Sequence, residues 1–89
     1  MVNPAYAESL REKASLLPLS PGVYIMRGEG GKVIYVGKSK KLKNRVSQYF
    51  HETDFKSVKT DIMTSLVRDF EYIVCDTEME ALTLENSLI

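Results

Sequence analysis

A chain of 89 residues has enough surface to bury for one hydrophobic core, so we expect a single domain over residues 1–89. Its 44% hydrophobic and 27% charged residues exclude an intrinsically disordered chain, and its single cysteine, Cys75, excludes an internal disulfide and is expected in the core. The 12 basic and 12 acidic residues cancel, so net charge alone does not indicate a nucleic-acid partner.

The first third of the chain predicts a helix followed by a hairpin. Apolar side chains at helical spacing predict a helix over residues 5–17, which two following prolines end. Two β-branched and aromatic runs, Val23–Arg27 and Val33–Val36, flank a glycine-rich turn at residues 28–31. This pattern is typical of two antiparallel strands joined by a short turn.

The length of that turn decides which residues face each other. With four turn residues, Arg27 faces Lys32 and Tyr24 faces Tyr35, and the two tyrosines share one face of the sheet. A structural role is one interpretation, since tyrosine packs well in strands. The alternative is that both hydroxyls line a cleft and position water against a phosphate. A proton-accepting role would need positive charge nearby, because a free tyrosine has a pKa of about 10.

The rest of the chain predicts two helices, a strand and a final helix. The helices are predicted over Ser39–Phe50, with the first residue as cap, and over Ser57–Val67. A third strand is predicted over Phe70–Cys75. Thr77, followed three residues later by Glu80, has the pattern of a capping box that starts the last helix.

Positive charge is concentrated at the start of the predicted Ser39–Phe50 helix. Five basic residues lie within eight positions: Lys38, Lys40, Lys41, Lys43 and Arg45. Such a run is often only a solvated helix face, but it also suits the attraction of a phosphate backbone. Arg45 is the strongest candidate, because its planar fork can hold two phosphate oxygens, including those that gain charge as a nucleophile adds to phosphorus.

Glu85 is the most informative acidic residue of the last predicted helix. Its neighbours three and four positions away are all apolar: Ala81, Leu82, Leu88 and Ile89. A carboxylate within a core-facing stripe costs several kcal/mol unless a cation or hydrogen-bond donors accompany it. The sequence leaves open a buried salt bridge and a metal site, and magnesium suits the second because it often takes one protein carboxylate beside several waters.

Four segments, read in order, resemble the GIY-YIG nuclease family. They are PGVY at 21–24, YVGKSKKLKNRV at 35–46, YF at 49–50 and EALTLENSLI at 80–89. The first motif has valine where the family usually has isoleucine. The resemblance implies an α/β (α+β) fold, a small three-stranded antiparallel sheet flanked by helices.

The same resemblance implies roles for individual residues. Tyr24 and Tyr35 match the tyrosines of the two motifs, and Tyr35 matches the usual candidate for activating water. Further catalytic positions fall on Lys38, Arg45, Tyr49 and Glu85. Glu85 matches the family's single metal-binding residue, for Mg²⁺ or Mn²⁺. Gly37 matches the glycine that lets substrate approach and is an expected substrate-binding position. Lys40, Lys41 and Lys43 are expected to bind substrate as well, on the basis of the basic run itself.

The segments are most similar to the branch of this family that acts in bacterial nucleotide excision repair. This implies a metal-dependent endonuclease domain that cuts damaged duplex DNA on the 3′ side of a lesion, leaving a 5′ phosphate and a 3′ hydroxyl. The family continues past the last helix to an asparagine near the site, so a longer protein is expected, with UvrB-type repair proteins as partners. No apolar run is long enough to cross a bilayer and no secretion signal is present, so we expect a cytoplasmic protein without a membrane partner.

Two other functions stay open at this stage. One is a non-catalytic nucleic-acid-binding module, in which the lysine run holds backbone phosphates and Glu85 is salt-bridged. The other is a protein-docking domain that uses exposed helix faces.

Overall fold

Three antiparallel strands form the centre of the molecule, with helices on both faces. The computed structural model describes residues 2–51 and 58–89. In chain order its elements are α1 (Pro4–Ser15), β1 (Gly22–Arg27), a 3-10 turn (Glu29–Gly31), β2 (Val33–Ser39), α2 (Leu42–Phe50), α3 (Val58–Leu66), β3 (Asp69–Val74) and α4 (Glu78–Leu88). β1 lies between β2 and β3. The predicted order of elements and the three-stranded antiparallel sheet are therefore confirmed.

The predicted register of the hairpin is wrong by two residues. Tyr24 pairs with Gly37 and Tyr35 pairs with Met26, while Arg27 pairs with Val33 after an irregularity in the ladder. A shift by an even number keeps each side chain on its face, because strand side chains alternate. The two tyrosines therefore lie on one face as predicted, but diagonally rather than directly opposite.

The turn takes up one more residue than predicted and so accounts for one residue of this shift, and the irregularity between Met26 and Arg27 accounts for the other. Gly28 N donates to Lys32 O at 2.7 Å and closes the turn. Inside it, Gly30 and Gly31 adopt positive φ values of 71° and 79°, a backbone conformation that favours glycine. The glycines thus make possible a longer turn than a four-residue loop.

Side chains of β1 alternate between two cores of different size. Tyr24 and Met26 belong to the larger cluster, which we call the α1–α2 core, with these further buried members: Val2, Leu10, Ala14, Leu17, Leu42, Val46, Phe50, Val67 and Phe70. On the opposite face, Val23, Cys75 and Ala81 form a smaller cluster, bordered by Val36 and Leu84, which we call the α4 core. The prediction of Cys75 as a core residue is confirmed.

The capping predictions had different outcomes. Ser39 does not cap α2, because it is the last residue of β2, and its Oγ instead accepts a hydrogen bond from Lys41 N at 3.0 Å. Thr77 does cap α4, with its Oγ1 accepting from Glu80 N at 3.1 Å. The Glu80 carboxylate accepts from Asp76 N rather than from the backbone of Thr77, so the capping box is modified on one side.

Smaller differences concern the ends of elements. The helix predicted over residues 5–17 spans Pro4–Ser15, and the strand predicted over Phe70–Cys75 is displaced by one residue to Asp69–Val74. The predicted start of α3 at Ser57 lies outside the described residues. Within the ranges 2–51 and 58–89, no helix is both long and apolar enough to cross a membrane.

Candidate active site

Three tyrosines from three elements meet on the α2 side of the sheet. Tyr24 comes from β1, Tyr35 from β2 and Tyr49 from α2, and we call them the tyrosine cluster. Their ring centroids lie 5.7 to 6.4 Å apart. The hydroxyls of Tyr24 and Tyr49 are hydrogen-bonded at 2.8 Å. Tyr24 is 2% exposed and Tyr35 41% exposed, so the cluster has a buried member and an accessible one.

The surroundings favour the protonated form of the Tyr24 and Tyr35 phenols. Burial is the main cause that raises the pKa of Tyr24, followed by its hydrogen bond to Tyr49, while the Arg45 guanidinium lowers it. Burial also raises the pKa of Tyr35, with additional contributions from Tyr49 and from the negative charge of Glu85. Removing a proton from Tyr35 near neutral pH therefore requires additional positive charge beside it.

Gly37 has a role that sequence reasoning missed. A Cβ atom at this position would overlap the phenol of Tyr24, which crosses the glycine in the neighbouring strand. The absence of a side chain at Gly37 is therefore required for the packing of Tyr24. A signal for this was present, because a glycine inside a strand often marks a close approach of another group, but only the correct register identifies that group as Tyr24.

Glu85 does not lie in a core-facing apolar stripe, so its predicted burial is wrong. Of the four apolar neighbours only Ala81 is buried, whereas Leu82 and Leu88 are each 43% exposed and Ile89 is 84% exposed. Glu85 itself is half-buried at the border of the α4 core. The reason is that α4 covers the sheet with the side that carries Ala81 and Leu84, so the other apolar residues point away from the core.

Glu85 nevertheless acts on the tyrosine cluster, because its negative charge contributes to raising the pKa of Tyr35. Among the described residues, no lysine or arginine forms an ion pair with its carboxylate. A salt bridge of the Glu85 carboxylate thus has no partner within residues 2–51 and 58–89.

The basic run of the sequence lines a groove of 420 Å³ between α2 and the start of α4, which we call the basic groove. Its lining residues are Lys38, Ser39, Lys40, Lys41, Asn44, Arg45, Gln48, Glu78 and Ala81. Lys43, also predicted to contact substrate, does not line it, and its backbone N bonds to Pro18 O at 3.1 Å. Asn44 and Gln48 were missed, although the spacing of 41, 44, 45 and 48 places them on one helix face.

Arg45 connects the basic groove to the tyrosine cluster. It lines the groove and also acts on the Tyr24 phenol, and Tyr49 lies one turn further along α2. On the opposite wall, Ala81 lines the groove and Glu85 lies one turn further along α4. Arg45 and the residues one turn beyond the two helical walls, Tyr49 and Glu85, therefore connect the basic groove to the tyrosine cluster.

The donor set near the tyrosine cluster limits which cation fits. The described residues contain no group of three or more His, Cys, Asp or Glu side chains suited to hold a metal ion. Glu85 thus belongs to no set of three or four such ligands, which excludes a structural zinc site of the usual four protein ligands among these residues. A hard cation that keeps most of its waters, such as Mg²⁺, fits one half-buried carboxylate.

The fold and this site place the protein in a known class. The model of the UvrC-like GIY-YIG domain family matches residues 20–89, so the chain belongs to that family. It is 60% identical over 80 residues to the UvrABC system protein C of Caldanaerobacter subterraneus and 57% identical over 81 residues to that of Caldicellulosiruptor saccharolyticus. The matches cover 90% and 91% of this chain but only 13% and 14% of those relatives.

A solved structure also matches nearly the whole chain. The GIY-YIG N-terminal endonuclease domain of UvrC from Thermotoga maritima, bound to its catalytic magnesium, superposes with a TM-score of 0.80 at 38% identity. The superposition covers 92% of this chain and 88% of that one. The chain thus has the fold of that endonuclease domain and spans about 13% of the length of the curated relatives it matches.

Proposed function

We propose that this chain is a metal-dependent endonuclease domain that hydrolyses a phosphodiester bond of damaged DNA, making the cut on the 3′ side of a lesion in nucleotide excision repair. The observation that carries the proposal is that Arg45, which lines the basic groove, acts on Tyr24, while Glu85, which has no ion-pair partner among the described residues, acts on Tyr35. Its similarity to a UvrC domain described as bound to catalytic magnesium supports the same activity.

Glu85 is the residue that would hold the ion, Mg²⁺ or Mn²⁺. When bound, such an ion supplies Lewis-acid polarisation of a phosphate oxygen and lowers the pKa of bound water. Its positive charge would also oppose the burial and the Glu85 charge that raise the pKa of Tyr35. The ion therefore suits the site electrostatically.

We assign the remaining catalytic and positioning roles to side chains of the tyrosine cluster and the basic groove. Tyr35 is the most exposed residue of the tyrosine cluster, so we assign to it the orientation of water and the acceptance of its proton. Tyr24 is buried and bonded to Tyr49, so we assign it a positioning role. Arg45, supported by Lys38, is placed to stabilise negative charge on the phosphate oxygens.

The partners follow from this assignment and from the relatives. Damaged duplex DNA is the proposed substrate, and UvrB-type repair proteins are the proposed partners of the longer protein that carries such a domain. Since chromosomal DNA is the substrate, the proposed site of action is the cytoplasm.

A plasmid-nicking assay tests the activity in the longest form of the protein that carries this chain. We expect Glu85→Gln to abolish metal-dependent cutting, and Arg45→Ala to slow it by about 10²-fold or more, the usual cost of one transition-state donor. Glu12→Gln on the exposed surface of α1 is the matched control for the loss of one negative charge. Cutting by Glu85→Gln at the rate of Glu12→Gln would contradict the proposal.

A magnesium titration followed by NMR separates this function from that of a non-catalytic binding module. We expect chemical shift changes confined to Glu85 and the tyrosine cluster. If magnesium changes no residue specifically, while DNA binding persists and weakens steeply with salt, the chain is a binding module.

A further inference from the structure

Several side chains that line the basic groove have no role in the proposed cutting reaction. Four cations surround it, but Ser39, Asn44 and Gln48 also contribute side chains to its lining. Hydroxyl and amide groups, together with Lys and Arg, are the side chains that contact phosphate and sugar oxygens in protein–DNA complexes. The lining therefore matches the chemistry of a nucleic-acid backbone better than that of an apolar ligand.

The position of the groove connects it to the proposed reaction. Arg45 lines the groove and acts on the buried Tyr24, so it links a strand held in the groove to the tyrosine cluster. Its volume of 420 Å³ is within the range of sites that hold small ligands, about 300–1,000 Å³. A short stretch of one strand fits such a space.

Glu78 opposes this attraction. It is the only acidic residue among the described residues that line the groove, and its Oε1 lies 3.8 Å from Nζ of Lys40. Lys40 comes from the segment between β2 and α2, and Glu78 begins α4, so the pair spans the two walls. Both side chains are exposed, at 77% and 61%, so the pair adds little to the stability of the fold, while the Glu78 carboxylate competes with a phosphate for Lys40.

We propose that the basic groove holds the sugar–phosphate backbone next to the cut bond, with Asn44 and Gln48 as uncharged contacts and Glu78 as a competitor that limits affinity through Lys40. This inference rests on the proposed function, because it takes the strand in the groove to be the one that is cut. It adds residues outside the metal and tyrosine positions.

Salt dependence of DNA binding tests the inference without any cutting. Affinity for a fluorescently labelled DNA duplex is measured without divalent cation between about 50 and 200 mM salt. Asn44→Ala combined with Gln48→Ala is expected to weaken binding about tenfold with an unchanged salt slope, because uncharged contacts release no counterions. Glu78→Gln is expected to tighten binding by roughly three- to tenfold at low salt and to steepen the slope by about 0.9, as one more cation becomes available.

Two comparisons make the result decisive. Glu12→Gln removes the same charge far from the groove and is expected to bind as the unmodified protein does. In a Lys40→Gln background the gain from Glu78→Gln should shrink towards zero, since its effect passes through Lys40. Wild-type affinity of the Asn44/Gln48 variant, or equal affinities for Glu78→Gln and Glu12→Gln, would overturn the inference.

The outcome is separable from that of the nuclease proposal. If cutting requires Glu85 but the groove variants bind DNA normally, this inference fails and the nuclease function stands. If Glu85→Gln cuts normally, the nuclease function fails regardless of the binding data.

Discussion

The two faces of the sheet differ in how firmly they hold the candidate site. The α1–α2 core contains Tyr24 and is closed by Phe50 and Phe70, whose rings stack at 5.6 Å. The α4 core has three buried members, and α4 leaves Met79 76% exposed and Leu82 43% exposed. The tyrosine and arginine side of the site is thus built on extensive packing, whereas the carboxylate side is built on little. Glu85, the proposed metal ligand, therefore lies on α4, the less firmly packed element.

Truncation of a side chain in the α1–α2 core should lower the free energy of unfolding more than a change at Gly37 or Leu84. Phe50 is fully buried, so Phe50→Ala is expected to lower the free energy of unfolding by about 3–5 kcal/mol, and the smaller change Phe50→Leu by about 1–2 kcal/mol. Urea unfolding monitored by circular dichroism measures both. A loss below about 1 kcal/mol for Phe50→Ala would mean that the larger core is not the main source of stability.

The next effect concerns the contact between Gly37 and Tyr24. Gly37→Ala is expected to cost about 1–3 kcal/mol and to displace the Tyr24 ring, because the added methyl overlaps the phenol. Gly30→Ala is the control, since that glycine has a φ of 71° but open space around it. Both variants lose stability, but only Gly37→Ala should shift the Tyr24 and Tyr49 ring resonances. Equal spectra for the two variants would contradict the close packing.

A smaller effect is expected on the α4 side. Leu84 borders the α4 core and is half-buried, so Leu84→Ala is expected to cost about 1–2 kcal/mol, less than a core truncation. If the carboxylate side is the more easily displaced, this variant should weaken magnesium binding while the tyrosine resonances stay unchanged. Unchanged magnesium affinity would show that α4 holds Glu85 independently of this packing.

The smallest effect is a pH dependence. Burial raises the pKa of Tyr24, so its contribution to stability is complete below the unfolded pKa of about 10 and is lost as pH rises above it. We expect a loss of up to about 1.4 kcal/mol per pH unit above pH 10 from this residue. Tyr24→Phe should be less stable at neutral pH but lose less on raising the pH. If the free energy of unfolding falls equally with pH in the wild-type protein and in Tyr24→Phe, titration of Tyr24 is not the cause of the loss.

Local features of the chain predicted most of the fold. Helical spacing of apolar residues, the Thr77 cap and the two β-branched runs each act over a few neighbouring residues, and the elements they predict are present. The register was missed because the positive-φ glycines of the turn lengthen it, and Ser39 was misassigned because the hydrogen bonds of β2 extend to it. The alternation of side chains still placed Tyr24 and Tyr35 on one face.

The sequence by itself determined the order of elements, the shared face of the two tyrosines and the concentration of positive charge before and along α2, because these depend on spacing along the chain. Only the tertiary structure decided that Gly37 makes room for Tyr24, that Asn44 and Gln48 line a groove with Glu78, and that Glu85 lies at a border rather than in a core. The contact of Gly37 with Tyr24 depends on the register of β1 and β2. The groove lining and the position of Glu85 depend on which side of α4 packs against the sheet, and an apolar stripe wider than the contact surface cannot specify that side.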